Sequence, residues 1–219
     1  MSHKTAQGDT GRFIERFGYA NTITMARIIF IPLFLAVLLV DWPSLFPSTA
    51  FLYQIRPWVA AVVFAILAAT DGVDGYIARS RNEISTFGKF ADPLADKLLV
   101  TTALLALIEM GVLPAWVALI IISREFVISG LRMVASVEGL VISASWYGKV
   151  KTVLQIVAIV LFIIMDSSWF LNLARVGHLI YFWISWAFMG AALFMTVLSM
   201  FTYFKNASQV IEGPWNKPS

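Results

Sequence analysis

Long apolar runs separated by short polar breaks dominate this chain. The pattern predicts helical spans over 22–42, 58–79, 85–110, 113–136, 148–165 and 177–204. An α-helix needs ~20 residues to cross a hydrocarbon layer of ~30 Å, and each run is near that length. Backbone amides in lipid must find partners within their own segment, so helices rather than open strands are expected. Arg27 lies early in the first span, and Pro32 is expected to kink it. Ahead of that span, "GRFIERFGYAN" (11–21) reads as a short amphipathic helix lying on a membrane surface. No fixed-period repeat is visible. The expectation is an all-α integral membrane protein with six transmembrane helices. It divides into a cytoplasmic N-terminus with its surface helix (1–21), a six-helix membrane domain (22–204) and a cytoplasmic tail (205–219).

Composition agrees with the pattern. The chain is 59% hydrophobic and only 13% charged, against about 25% charged in an ordinary soluble domain. The polar ends and loops are too short for a separate soluble domain. Basic residues set the orientation. With both ends on one side, that side carries Lys4, Arg12, Arg16, Arg79, Arg81, Lys89, Arg132, Lys149, Lys151, Lys205 and Lys217. The other side carries Arg56 and Arg175, while Arg27, Lys97 and Arg124 fall within spans. This positive-inside bias predicts that both termini are cytoplasmic. A cleaved signal peptide, with 28–40 as its apolar region and Ser48-Thr49-Ala50 at its cleavage site, fits poorly. Residues 1–27 make a long leading region that contains Asp9 and Glu15. The absence of cysteine excludes disulfides, thiolate catalysis and Cys-based metal sites. The two histidines, His3 and His178, are too far apart for a zinc motif.

Against this background "DGVDGYIARSRNEISTFGKFADPLADK" (71–97) places Asp71, Asp74, Asp92 and Asp96 at the edges of two apolar runs. Helix periodicity puts Asp71 and Asp74 on one face, and Asp92 and Asp96 on another. If spans two and three form an antiparallel hairpin, the two faces meet. Four converging carboxylates repel one another and need compensation. Divalent cations supply it, and all-oxygen ligation selects hard ions such as Mg²⁺ or Mn²⁺. Two such ions ~3.5–4 Å apart are a recurrent device in phosphoryl chemistry. The plainer alternative is a solvated cytoplasmic hairpin, but carboxylates at membrane depth are costly and usually functional. Gly72, Gly75, Ala78 and Gly88 leave room for another backbone or a flat ligand, although helix packing is the usual work of small residues in membranes. Arg79 suits a pyrophosphate or an interfacial anchor. Asp92-Pro93 reads either as an N-cap followed by the first helical residue, or as a kink in a helix that begins near Ser85. The second reading stacks Gly88, Asp92 and Asp96 on one side and is preferred.

The spacing Asp71-x2-Asp74-Gly75-x2-Ala78-Arg79-x8-Gly88-x3-Asp92-x3-Asp96 resembles the signature of the CDP-alcohol phosphatidyltransferases at every motif position. The likeness covers most of the chain, since that family also has six membrane helices with this motif across the second and third. "NTITMARIIFIPLF" (21–34), "SREFVISGLR" (123–132) and "GKVKTVLQ" (148–155) are similar to its bacterial phosphatidylglycerophosphate synthase branch. The resemblance implies transfer of the phosphatidyl group of CDP-diacylglycerol to sn-glycerol 3-phosphate, giving phosphatidylglycerophosphate and CMP at the cytoplasmic interface. It implies two divalent cations held by Asp71, Asp74, Asp92 and Asp96, with Asp96 as the general base. Gly75, Ala78, Arg79 and Gly88 would line the nucleotide end, with Asn21 and Thr24 as weaker candidates there. The expected partners are CDP-diacylglycerol, sn-glycerol 3-phosphate, membrane lipids and a second copy of the chain in a homodimer, with no nucleic acid. The expected place is the bacterial inner (cytoplasmic) membrane, crossed several times.

An acceptor with its own phosphate needs a second cationic pocket. Arg124 and Arg132 lie about two turns apart and within roughly 80° of each other around one helix. Lys149 and Lys151 begin the next span. Such a group suits a phosphate dianion. Anchoring explains Lys151 equally well, and Arg124 has Glu125 beside it as a ready partner. Two other readings stay open: the same chemistry on inositol phosphate, serine or phosphatidylglycerol, and a divalent-cation transporter. Clustering of the aspartates at one side of the spans, with Glu109 and Asp166 at the other, favours an interfacial enzyme. Single cysteines in this cysteine-free chain test the orientation. A Cys at Ser48 should react with an impermeant maleimide only from outside, and one at Arg81 or Arg132 only from the cytoplasm. Cytoplasmic labelling at Ser48 would overturn the assignment.

Overall fold

The computed structural model describes residues 19–40, 50–81, 86–137, 146–167 and 175–211, and among them every regular element is an α-helix. These are α1 (Tyr19–Leu39), α2 (Ala50–Arg81), α3 (Thr86–Glu109), α4 (Ala115–Val137), α5 (Trp146–Met165) and α6 (Arg175–Ile211). All six expected spans therefore appear as helices. The surface helix expected over 11–21 falls largely outside the described residues, as do the turn around Ser48 and the last residues of the tail.

Three boundaries differ from the hydropathy reading. α2 begins at Ala50 rather than near 58, so Pro57 sits inside the helix instead of closing a loop. A proline removes one backbone donor, and the apolar "AFLYQI" ahead of it is otherwise compatible with helix. α6 likewise continues to Ile211, seven residues past its expected end, because a helix can outlast the apolar run that defines a span. α3 starts at Thr86 and passes Pro93 without interruption. Asp92 is therefore inside a helix rather than its N-cap, as the preferred reading had it.

The chain forms two compact units, Met1–Ala106 and Leu107–Ser219. In the first, α1 packs on α2. Ile31, Phe34 and Leu38 from α1 and Ala60, Ala61, Phe64 and Leu67 from α2 are buried. The Phe34 and Phe64 rings lie 5.7 Å apart, tilted by 40°. Small Ala60 and Ala61 let the helix axes approach. In the second unit α5 and α6 form a hairpin around Ala158, Ile159, Phe162, Met189 and Ala192. Phe162 meets Trp186 edge-on at 5.4 Å, and the Tyr181 hydroxyl donates to the Leu161 carbonyl at 2.7 Å. α4 packs on α6.

The turn into α4 is set by Gly111, whose φ of 72° is a left-handed conformation that favours glycine. The Val112 amide donates to the Leu107 carbonyl at 3.1 Å and the Gly111 amide to Ile108 at 2.9 Å. This paired pattern is a Schellman motif, which ends α3 by satisfying carbonyls that the helix leaves free.

Polarity is inverted relative to a soluble bundle. Ile29, Phe126, Trp183, Phe194 and Phe201 are 63–72% exposed, while Arg27, Arg124, Lys151, Gln155, Ser185, Thr196 and Ser199 are buried. Among the described residues, two helices contain stretches long and apolar enough to cross a membrane, Gly148–Met165 and Val176–Phe204. Met25–Leu39 and Gln54–Thr70 are shorter apolar stretches. Packing and exposure make a paired prediction. Phe64→Ala should destabilise the fold by about 3–5 kcal/mol, whereas Phe194→Ala should change stability by less than about 0.5 kcal/mol. Unfolding in detergent measures both; equal effects would contradict the α1–α2 core.

Candidate active site

The aspartate motif occupies the last turns of α2 and the first half of α3. α2 is unbroken through Asp71, Asp74, Gly75, Ala78 and Arg79, and α3 through Gly88, Asp92 and Asp96. The helical rise therefore holds Asp71 and Asp74 on one face, and Gly88, Asp92 and Asp96 on one face of α3. The side chains of these residues, and those of Asn21 and Thr24, lie outside the described ones. Among the described residues there is no group of three or more His, Asp or Glu side chains that could hold a metal ion.

The α1–α2 packing positions the nucleotide candidates further. Phe34 meets Phe64, and Ala26 and Arg27 line a cavity together with Ile66, Leu67 and Thr70. Rising numbers on α1 thus face falling numbers on α2, so the two helices are antiparallel. Continued toward the start of α1, this register brings the level of Asn21 and Thr24 to that of the aspartate motif on α2. The cavity between the two helices is mostly apolar, has a volume of about 340 Å³ and ends at Thr70, the residue before Asp71.

In the second unit the predicted cations fall into two classes. Arg124 and Lys151 are buried, at 7% and 3% exposure. Both reach the same carboxylate oxygen, Glu125 Oε1; the Arg124 Nη1 contact is 3.1 Å, and Lys151 Nζ forms the second ion pair. Arg124 Nη2 donates to Ser199 Oγ at 2.7 Å, and Ser199 donates in turn to the Thr196 carbonyl at 2.9 Å. Arg124 Nε is buried and has no hydrogen-bond partner among the described residues. Arg132 donates to the Tyr203 hydroxyl. The Tyr203 ring lies under both guanidinium groups, 5.8 Å from Arg124 and 5.2 Å from Arg132. Such cation–ring contacts hold a guanidinium without neutralising it. Lys149 is exposed on the first turn of α5.

Three of the four predicted cations are thus joined through Glu125 and Tyr203, and Lys149 stands at the surface. The sequence marks Glu125 as a ready partner of Arg124, and the structure shows that ion pair. Its second bond, to Lys151 on another helix, has no local sequence signal. Ser199 and Tyr203 were missed altogether. Their spacing of four residues places them on one face of α6, but nothing in the sequence says which helix that face meets.

The burial of Arg124 makes its partners testable. Ser199→Ala removes the acceptor for Nη2 and should cost about 1.5–3 kcal/mol, the range for a hydrogen bond to a charged group. Thr202→Ala, which loses only a bond to the Leu198 carbonyl in its own helix, should cost less than about 1 kcal/mol. Thermal unfolding of the purified variants separates the two, and a Ser199→Ala protein as stable as wild type would refute the contact.

Comparison with known proteins gives a consistent relationship. Residues 17–198 match the sequence profile of the family described as CDP-alcohol phosphatidyltransferase. A Bacillus subtilis protein named CDP-diacylglycerol–glycerol-3-phosphate 3-phosphatidyltransferase is 39% identical over 190 residues, covering 86% of this chain and 94% of the relative. Proteins of the same name from Shigella flexneri and Rickettsia bellii are 33% and 32% identical. These alignments cover 88% and 84% of this chain, and 96% and 92% of the relatives.

Proposed function

Because the chain belongs to the CDP-alcohol phosphatidyltransferase family, we propose that it transfers the phosphatidyl group of CDP-diacylglycerol to sn-glycerol 3-phosphate. The products are phosphatidylglycerophosphate and CMP, in the synthesis of phosphatidylglycerol and cardiolipin. The observation that carries the acceptor assignment is the buried Arg124–Lys151 cluster with its open Arg124 Nε donor. The names of the relatives point to the same acceptor. A free alcohol such as serine would need no such concentration of cations.

In this reading the acceptor hydroxyl oxygen attacks the phosphorus that carries the diacylglycerol. The bond from that phosphorus to the CMP oxygen breaks, and CMP leaves with the bonding pair. Asp96 takes the hydroxyl proton, as a base held within hydrogen-bond reach of the attacking oxygen. Asp71, Asp74, Asp92 and Asp96 would hold two divalent cations, Mg²⁺ or Mn²⁺. The donor set fits: every group is a carboxylate, and the unbroken helices keep each pair on one face. When bound, such ions would neutralise the pyrophosphate and the charge that develops on the departing phosphate.

Gly75, Ala78, Arg79 and Gly88 bind the nucleotide end, with Asn21 and Thr24 contributing from α1. The apolar cavity that ends at Thr70 suits the hydrocarbon of a lipid donor. Arg124, Arg132, Lys149 and Lys151 bind the acceptor phosphate, Arg by forked hydrogen bonds and Lys as point charges.

The protein is a multi-pass protein of the bacterial inner membrane, with both termini and the active site on the cytoplasmic side, and it acts as a homodimer. The apolar exterior and buried cations support the membrane setting, since polar groups facing inward and apolar groups facing outward are what lipid demands.

Kinetics test the division of roles. Asp71→Asn, Asp74→Asn and Asp92→Asn should each lower activity by at least ~100-fold, and Asp96→Asn by roughly 10²–10⁴-fold. Arg124→Gln and Lys149→Gln should chiefly raise the KM for glycerol 3-phosphate, by about 10–150-fold per lost charge-assisted contact. Arg79→Gln should weaken use of the lipid donor instead. Near-normal turnover in a folded aspartate variant removes that residue from its role. Unphosphorylated glycerol serving as well as glycerol 3-phosphate would sink the acceptor assignment.

A further inference from the structure

Tyr203 is buried, at 3% exposure, although its neighbours Phe201 and Phe204 are exposed. A tyrosine near the end of a membrane span ordinarily serves as an anchor at the lipid–water interface. This one is turned inward, against Arg124 and Arg132. We propose that Tyr203 is a positioning residue for the acceptor: it holds the two arginines together as one pair of donors for a single phosphate. The inference rests on reading this cluster as the acceptor-phosphate pocket.

Geometry carries the argument. Arg124 and Arg132 stand two turns apart on α4, ~12 Å along the helix axis. Their guanidinium carbons nevertheless lie 5.8 and 5.2 Å from the centre of one ring. Like charges repel and do not gather unaided. The face of an aromatic ring carries the negative end of its quadrupole, so it attracts both. The Tyr203 hydroxyl also accepts from Arg132. Arg132 is exposed, and a long free side chain must otherwise be immobilised at the moment of binding, at a cost in affinity.

A neutral ring suits this work better than a carboxylate would. A carboxylate can gather arginines, but it occupies the forked donor positions that a phosphate would use. Tyr203 takes one N–H of Arg132 and leaves its charge intact. Ser199, one turn earlier on α6, accepts from Arg124 Nη2 at 2.7 Å. One face of α6 therefore serves both arginines.

The test uses the purified protein, with CDP-diacylglycerol as donor and glycerol 3-phosphate as acceptor. Tyr203→Phe keeps the ring and loses the hydroxyl, and it should raise the acceptor KM about 3–10-fold. Tyr203→Leu loses both and should raise it by at least about tenfold. The KM for the lipid donor should stay within about twofold of wild type in both variants. The deciding comparison is made in an Arg132→Met background, which offers the hydroxyl no donor. There Tyr203→Phe should change the acceptor KM by less than about twofold, because its effect passes through Arg132. A merely structural tyrosine would weaken both backgrounds by the same factor.

An acceptor KM that Tyr203→Phe leaves within about twofold of wild type, or that rises equally in both backgrounds, overturns the proposal. Where Tyr203→Phe does not fold, a fluorinated tyrosine at position 203 of the otherwise native chain carries the test. Its fluorine resonance should move on addition of glycerol 3-phosphate and not of glycerol. An unmoved resonance, or one that moves equally with glycerol, overturns the proposal. Arg124→Gln and Arg132→Met run alongside separate the two ideas. If neither raises the acceptor KM, the pocket reading itself fails. If they raise it while Tyr203 fails its own test, only the positioning role fails.

Discussion

Two buried cations on different helices share one carboxylate oxygen, and the second unit is organised around that fact. Arg124 on α4 and Lys151 on α5 both contact Glu125 Oε1. Taking a cation out of water costs several kcal/mol unless partners replace the lost hydration. One carboxylate cannot fully compensate two cations. Hydroxyls supply part of the remainder: Ser199 accepts from Arg124, and Tyr203 accepts from Arg132. All of these partners come from α4, α5 and α6. The cluster therefore dictates which faces of the three helices turn inward, while Phe126, Trp183, Phe194 and Phe201 turn outward. In lipid that choice has no competitor, because outside the protein there is no water to solvate a misplaced charge.

Such a cluster is expensive to keep for stability alone. A buried ion pair is often no better than well-packed apolar residues of the same volume. Apolar packing is available nearby, as Phe162 against Trp186 illustrates. Retaining Arg124 with an unanswered Nε donor makes better sense if the missing partner is a substrate oxygen. The same reasoning does not extend to Lys149. It is exposed, so it incurs little desolvation and its retention needs no such account.

The aspartate motif and the cation cluster differ in how far the sequence discloses them, and the cause is physical. Asp71, Asp74, Asp92 and Asp96 are related by helical spacings of three and four. Local backbone geometry alone puts each pair on one face, so the motif is legible before any tertiary contact is known. Pro93 left the helix start ambiguous, and only the observed start at Thr86 resolves it. Apolar runs likewise located all six helices, because burial in lipid or protein acts over a whole turn or more. They missed the start of α2, where Pro57 suggests a loop although the helix runs through it, and the end of α6, where polar residues after Phe204 continue the helix. The Glu125–Lys151 pair and the Arg132–Tyr203 bond cross between helices. Periodicity says that each helix has a face, but it does not say which face meets which.

That difference matches the chemistry proposed for each group. A pair of metal ions demands ligands fixed to within tenths of an ångström, and spacings of three and four within unbroken helices serve that demand. The antiparallel register of α1 on α2 adds a second support to the same level, where Asn21 and Thr24 stand. Holding a phosphate asks for less: enough positive charge, a few forked donors and exclusion of the wrong anion. Cations drawn from α4 and α5 and steadied by hydroxyls of α6 meet that demand, and many sequences would do so equally well. Strict spacing in one group and permissive placement in the other thus follow from two different demands. In the proposed reaction, geometry governs transfer at the phosphorus, while positive charge serves recognition of the acceptor phosphate. Among the described residues, Glu125 is the carboxylate that contacts both buried cations.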